Sequence, residues 1–348
     1  MVLSNENLRV AIPSDGAMYE PTLLFLDACG LRVNRANSRR YVADIPFLPG
    51  LDVLFQRSAD ITSKVEDGTA DLGLLGHDRY LEMRNEDGPS KVVMNDLGFG
   101  GCSLALGIPD SWIDVGSIAD LADIAVEFKN NGNSLRIATK SPRLVERFLL
   151  SNGISNFSIV ESSGTLEVAP AMGFADIIAD ITSSGTTMRE NHLKTIAGGT
   201  VIESEACLIA NGKLAVENSI IGKVAETFVR IIRAHLDAKE FFSITANIQG
   251  VSRDAVASLV SEYESLRGLE GPTISTVFSG SSDNCFAVTV VVGRSLLMQA
   301  ISDLESIGAQ SVTVSQLNYV IQGLSLIHIS ETTRRYARSY DVFCLKKK

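Results

Sequence analysis

Apolar positions come in short runs separated by polar, glycine-bearing stretches, and the segments between the runs carry a helical period. LRVAIP at 8–13 reads as a buried strand ending at a turn, and 21–29 as a compact apolar helix stopped by Gly30. DVLFQ at 52–56 is strand-like, 60–66 is helical up to Gly68, and DLGLLG at 71–76 is another buried strand. Such alternation predicts an α/β fold with a largely parallel sheet. GFGGC at 98–102 breaks the rhythm, and SLALGI at 103–108 resumes it as a strand. A second unit follows, with strand 135–139, helix 143–152, strand 157–160 and a helix-to-strand passage at 173–180. That passage feeds a Ser/Gly/Thr turn and a short helix from about Met188. After a strand at 206–210, a long helix at 222–238 leads away.

The third unit reads as strand 243–248, helix 253–263, strands 273–278 and 285–292, an amphipathic helix at 295–307 and a closing strand at 311–320. The amphipathic stretch places Leu297, Ala300, Ile301, Leu304 and Ile307 on one face. The order βαββαβ is the ferredoxin-like pattern. No internal repeat is evident across the units. The regular alternation stops near 322, and 323–348 reads as an adapter-derived, non-native tail, with a genuine basic tail as the competing reading. His328 and Cys344, which lie in it, receive no functional role.

A length of 348 residues suggests two or three domains. A hydrophobic share of 45% and a charged share of 21% describe an ordinary globular protein. The net charge of -10 argues against nucleic acid or an anionic membrane as partner. No apolar run reaches the roughly 18 residues that span a bilayer. The start, MVLSNENLRVAIP, lacks the layout of a secretory signal, so a cytoplasmic location is expected. The five cysteines are widely spaced and form no CxxC, which predicts free thiols in a reducing compartment. A metal site built from them and the four histidines is not expected.

The chemistry concentrates at 176–187, DIIADITSSGTT. Asp176 and Asp180 stand four apart, and small hydroxyl residues around Gly185 follow directly. A Ser/Gly/Thr turn at a helix start offers backbone N–H groups and hydroxyls to one oxyanion. Gly185 permits a positive φ and close approach of a ligand. A carboxylate just upstream can accept hydrogen bonds from ribose hydroxyls. The pattern is that of a 5′-phosphoribose cradle; a capped helix start without a ligand is the alternative.

The run Gly164-Thr-Leu-Glu-Val-Ala-Pro170, then Gly173, then ADIIADITSSGTTMREN at 175–191, closely resembles the signature of ATP phosphoribosyltransferases. Arg57 after an FQ pair, DLGLLGHD at 71–78, LGFGGC at 97–102 and LRIATK at 135–140 strengthen the likeness. The third unit, with Gly268-Leu-Glu-Gly-Pro-Thr273, resembles the regulatory domain of the long-form enzymes. The resemblance covers about 8–322 and is closest to the plant and algal branch, so a plastid destination is conceivable.

It implies a two-lobed, periplasmic-binding-protein-like catalytic core plus a ferredoxin-like regulatory domain. Lobe I would take 1–100 and 195–220, lobe II 101–194, a connecting helix 221–242 and the regulatory domain 243–322. It also implies that ATP and phosphoribosyl pyrophosphate are the substrates, that Mg²⁺ assists, and that histidine inhibits. Glu167 and Asp180 would hold the ribose hydroxyls, and Ser183, Ser184, Gly185, Thr186 and Thr187 the 5′-phosphate. Arg57 would meet the pyrophosphate. Asp78, Gly98, Phe99, Gly100, Gly101 and Lys140 would line the cleft near the nucleotide. Leu269 and Thr273 match the histidine site, and a homo-oligomer shifting from dimer to hexamer is implied. The attacking adenine N1 has a free lone pair, so positioning and charge neutralisation are the tasks.

One departure stands out. The family's first strand runs into a Lys-Gly-Arg turn, whereas this chain has Asp15-Gly16-Ala17. Arg39, Arg40 or Lys140 would have to compensate, or activity falls; a catalytically weak regulatory paralogue and a non-catalytic two-lobed binding protein are the alternatives. His77 is expected as a loop residue at the cleft rim, Trp112 and Phe99 as packing groups, and His192 and His235 as helix positions.

Overall fold

The computed structural model describes residues 7–37, 39–161, 165–182, 185–212, 220–278 and 284–321. Ser183, Ser184, Gly164 and the expected tail at 323–348 lie outside the described residues. The chain divides into two compact units, one ending at Ala225 and the other beginning at Glu226.

The first unit opens with β1 (Leu8–Pro13), α1 (Tyr19–Ala28), β2 (Val42–Asp44), β3 (Leu51–Gln56), α2 (Ser58–Glu66), β4 (Leu72–Gly76), α3 (His77–Met83) and β5 (Ser90–Met94). It continues with β6 (Cys102–Pro109), α4 (Ile118–Asn130), β7 (Leu135–Thr139), α5 (Pro142–Ser151), β8 (Phe157–Glu161) and β9 (Ile177–Thr182). It ends with α6 (Thr186–Glu190), β10 (Leu193–Lys194), β11 (Thr200–Ser204) and β12 (Ala206–Asn211). One sheet has the order β2-β3-β1-β4-β12-β5; the other runs β10-β6-β9-β7-β8, with β11 also paired to β6. β1 lies parallel between β3 and β4, and β7 parallel between β8 and β9. All five residues of β4 are buried, as a near-continuous apolar strand in a covered sheet should be.

The two sheets are two lobes, and the chain crosses between them twice: from β5 to β6, and at Glu205 from β11 to β12. The second crossing corrects the expected boundary. Leu193–Lys194 and Thr200–Ser204 pair with β6 in the second sheet, so lobe II extends to about 204 and not 194. β11 is short, and its partner strand lies about a hundred residues earlier in the chain, which hides its membership from local pattern.

The structure also overturns the absence of a repeat. The order β3-β1-β4-β12 in lobe I matches β8-β7-β9-β6 in lobe II. In lobe I, Arg9 donates from Nε and Nη2 to Asp71 and from Nη2 to the Gly68 carbonyl. In lobe II, Arg136 donates from Nε and Nη2 to Asp176 and from Nη1 to the Gly173 carbonyl. In both, the aspartate also accepts the arginine's own backbone N–H at 2.8 Å. A shared Leu-Arg strand start and Gly-x-Ala-Asp approach encode the clasp twice, too few residues for sequence similarity to register. Asp71→Ala leaves the Arg9 backbone N–H and guanidinium without their acceptor. It should lower unfolding free energy by about 2 kcal/mol, read from the urea midpoint at unchanged slope. A loss below about 0.5 kcal/mol would show the clasp to be incidental.

The second unit contains most of α7 (Ile220–Ala238), then β13 (Phe241–Gln249), α8 (Arg253–Ser261), β14 (Thr273–Thr276), β15 (Cys285–Gly293), α9 (Leu297–Ser306) and β16 (Gln310–Gln316). Its antiparallel sheet has the order β14-β15-β13-β16, the ferredoxin-like arrangement. Ile244, Ala246, Ile248, Val288, Val290 and Val292 alternate along β13 and β15 and pack under Val256, Val260, Ala300 and Leu304. The closing strand stops at Gln316, short of the expected 320.

Candidate functional site

Two helix starts bring the lobes together. α3 follows the carboxyl end of β4 and α5 that of β7, and the two helices pack on each other. The carboxyl ends of β4 and β7 are therefore brought together through these two helices, and such strand ends are where α/β sheets place their ligands.

On the lobe I bank, Arg57 follows β3 with extended backbone (φ -64°, ψ 139°) and an exposed side chain at the start of α2. Asp78 is buried: its N–H donates to Ser204 Oγ at 2.9 Å, and that hydroxyl donates back to Asp78 Oδ1 at 2.8 Å. This pair ties α3 to β11 of the other lobe. His77 is not a rim loop residue but the buried first residue of α3, stacked near Tyr80. Burial pushes its pKa down, against the charges of Asp96 and Asp78.

The lobe II bank holds the cradle. Asp180 sits in β9 opposite Ala105 and is half-buried. Burial raises its carboxyl pKa first, and the Glu167 charge adds to this; the Ile181 N–H, which it accepts at 2.8 Å, and Lys140 pull the other way. Asp180, Glu167 and Lys140 are thus electrostatic neighbours, gathered from three separate segments. Gly185 caps α6 in the left-handed region (φ 68°, ψ 4°), and its N–H donates to Thr182 Oγ1 at 2.7 Å. A side chain at this φ would be strained. Thr186 and Thr187 are exposed in the first turn of α6.

The two crossings run side by side. Gly98 N–H donates to Glu205 Oε2 at 3.0 Å, Ala206 N–H to the Phe99 carbonyl, and Gly100 lies against the Met18 sulfur. Phe99 stacks on Phe25 with centroids 4.7 Å apart, a packing role. A cavity of about 340 Å³ opens here, lined by Asp96, Gly101, Cys102, Ser103, Glu203, Ser204 and Glu205. Its acidic wall does not suit a polyphosphate, and of the expected cleft residues it contains only Gly101. The Cys102 thiol is pushed up to about 11 by burial and the Asp78 charge, which disfavours its thiolate. His192, expected in a helix, lies just beyond α6 with φ 57°. His235 lies in α7, and Trp112 packs at 6.3 Å from Phe128.

In the second unit, Leu269 lines a cavity of about 540 Å³ with Ser261, Leu266, Arg267, Gly268, Gly271 and Pro272. Thr273 adjoins Pro272 as the exposed first residue of β14.

Sequence reasoning missed two residues that shape the crevice, Arg79 and Glu82 of α3, because their partners lie about 60 residues away. Among the described residues no three His, Cys, Asp or Glu side chains converge as a metal cage, and no helix is long and apolar enough to cross a membrane.

A core of two lobes with two crossings, carrying a carboxylate pair with a neighbouring lysine and a glycine-started turn, defines a two-lobed α/β protein. The ATP phosphoribosyltransferase family model matches residues 57–234, and the model of the family's C-terminal domain matches 238–319. ATP phosphoribosyltransferase 2, chloroplastic, of Arabidopsis thaliana is 36% identical over 325 residues, covering 92% of this chain and 78% of the relative. ATP phosphoribosyltransferase of Bradyrhizobium sp. (strain ORS 278) is 31% identical over 316 residues, covering 90% of this chain and 94% of the relative. A solved ATP phosphoribosyl transferase (HisG:HisZ) complex from Thermotoga maritima shares the fold at 22% identity and a TM-score of 0.50, over 65% of this chain and 96% of that one. The chain belongs to the ATP phosphoribosyltransferase family, and is a pentosyltransferase.

Proposed function

We propose that the interlobe crevice runs the condensation of ATP with phosphoribosyl pyrophosphate. Adenine N1 forms a bond to ribose C1 as the C1–O bond to pyrophosphate breaks. Glu167 and Asp180 accept the ribose hydroxyls. Ser183, Ser184, Gly185, Thr186 and Thr187 hold the 5′-phosphate, and Arg57 meets the departing pyrophosphate. Asp78, Gly98, Gly100 and Lys140 border the nucleotide, while Phe99 packs on Phe25 and Gly101 lines the acidic cavity. The observation that supports this most is the convergence of Asp180, Glu167 and Lys140 beside the left-handed Gly185 turn.

Mg²⁺ would be held mainly by substrate phosphate oxygens. The described residues offer a carboxylate pair and not a cage, which fits a hard cation that keeps its phosphate and water ligands. When bound, the ion neutralises charge on the leaving group.

The cavity beside Leu269, with Thr273 at its edge, is the proposed histidine site, and inhibition there is proposed to accompany assembly from dimer to hexamer. The chloroplastic naming of the Arabidopsis relatives supports a plastid destination.

The test is pyrophosphate release by the full chain from ATP and phosphoribosyl pyrophosphate, with and without histidine and with and without a chelator. Binding of both substrates without release would favour the non-catalytic reading. A second check uses pH. Asp180 must be ionised to accept hydroxyls, and its carboxyl is raised, so function present at neutral pH is lost on acidification above the ordinary carboxylate range of about 3.9. In Asp180→Asn that acid limb of kcat/KM should disappear. An unchanged limb would assign it to another group.

A further inference from the structure

α5 begins two residues after Lys140, yet it has no cap of its own: the Ser141 side chain makes no capping hydrogen bond, and Pro142 occupies the first turn. The N–H groups that a helix start leaves open need acceptors. They are met from the other lobe. Glu82, 4% exposed at the end of α3, accepts the Arg143 N–H on Oε1 and the Leu144 N–H on Oε2, each at 3.0 Å. Arg143 closes the loop by donating from Nη1 to the carbonyls of Glu82 at 2.9 Å and Arg84 at 2.7 Å. From the same helix, Arg79 Nη1 stands 3.5 Å from the Lys140 carbonyl. A negative charge at a helix N-terminus is stabilised by the N–H groups it meets, and burial strengthens that attraction.

We infer that Glu82 is a positioning residue for the transfer reaction: a carboxylate of lobe I caps the lobe II helix that follows Lys140, and so fixes where Lys140 stands relative to Arg57. The inference rests on the reading of Lys140 as a crevice residue that meets substrate. The two cap bonds set how the start of α5 is turned, while the Arg143 and Arg79 contacts hold the two segments together. Glu82→Gln keeps one acceptor oxygen but turns an NH₂ toward a backbone N–H. Glu82→Asp keeps the charge and shortens the reach by one methylene.

The experiment uses the full chain and four variants: Glu82→Gln, Glu82→Asp, Lys140→Met, and Glu82→Gln with Lys140→Met. Amide hydrogen exchange over 141–147 is read without substrate, and KM for phosphoribosyl pyrophosphate and for ATP is read with kcat. Glu82→Gln should speed exchange in that segment about 10-fold and raise KM about 10-fold for one or both substrates, with kcat changed far less. Glu82→Asp should recover part of both effects. In the Lys140→Met background, Glu82→Gln should still speed exchange but add little to KM. Should Glu82→Gln unfold the chain, Glu82→Asp still tests the cap. Unchanged exchange in a folded Glu82 variant overturns the cap. An equal rise in KM in the Lys140→Met background overturns the route through Lys140. If Lys140→Met alone leaves both KM values unchanged, the reading of Lys140 fails and takes the positioning role with it, while faster exchange would leave the cap standing.

Discussion

Arg57→Ala should lower kcat/KM for phosphoribosyl pyrophosphate on the order of 10²- to 10³-fold, while the unfolding midpoint barely moves. The guanidinium leaves the carboxyl end of β3 as an exposed side chain. Its backbone sits at the N-terminal end of α2, so the guanidinium and the helix start both present positive charge to the crevice. Pyrophosphate gains charge as it leaves, and a positioned guanidinium stabilises that charge more in the transition state than in the bound substrate. The loss should therefore fall on kcat as well as KM. Arg57→Lys should recover only part of it, because an ammonium lacks the planar fork that grips two phosphate oxygens. Steady-state pyrophosphate release measures both variants. A loss smaller than about threefold for Arg57→Ala would remove Arg57 from the machinery and leave the leaving group to other cations.

The strands that form the crevice floor were legible because their patterns are local. β1, β3, β4 and β7 are short apolar runs, and each is found within a residue or two of its predicted place. Gly185 was legible for a similar reason: its conformation depends on its lack of a side chain, not on a distant partner. α4 was missed although Ser117 and Asp120 form a capping box, a signal that is written in the sequence. Its apolar positions are diluted by surface residues such as Asp123 and Glu127, which blurred the period. What escaped for a physical reason is everything made by pairing across the lobes. β11 gains its place only from β6, and Asp78 gains its partner from Ser204. Glu82 looks like any acid in a short polar helix until the start of α5 closes over it. Local chemistry thus marks the residues proposed to touch a ligand, whereas the residues that hold the two banks in register are visible only in three dimensions.

The turn after β1 sets the second large effect. Ser14 N–H donates to the Gln56 carbonyl at 2.7 Å and Tyr19 N–H to the Gly16 carbonyl at 3.1 Å, so 14–19 is a tight bend beside the strand that delivers Arg57. Gly16 takes φ 74° there, and Asp15 and Ala17 are both exposed to solvent. Placing Lys at 15 and Arg at 17 shifts the local charge by about three units near two polyanionic substrates. At about 1 kcal/mol per unit in a partly screened site, the double variant should raise kcat/KM on the order of 10²-fold. The gain should shrink as salt is raised, since exposed charges are screened over about 10 Å at 0.1 M. The backbone should tolerate the change, because neither side chain is packed and the left-handed glycine is untouched. Native compensation has a specific source to test. Arg35 is anchored at 3.8 Å over the Phe55 ring and bonds the Tyr19 hydroxyl and the Arg40 carbonyl, which holds the loop bearing Arg39 and Arg40 beside the bend. If those two arginines already neutralise the substrates, the double variant gains less than about threefold, and Arg39→Ala with Arg40→Ala then costs what the missing Lys and Arg would have supplied. If instead the native chain binds both substrates without turnover and the double variant releases pyrophosphate, the native chain is the regulatory paralogue, and Asp15 and Ala17 are the residues that silenced it.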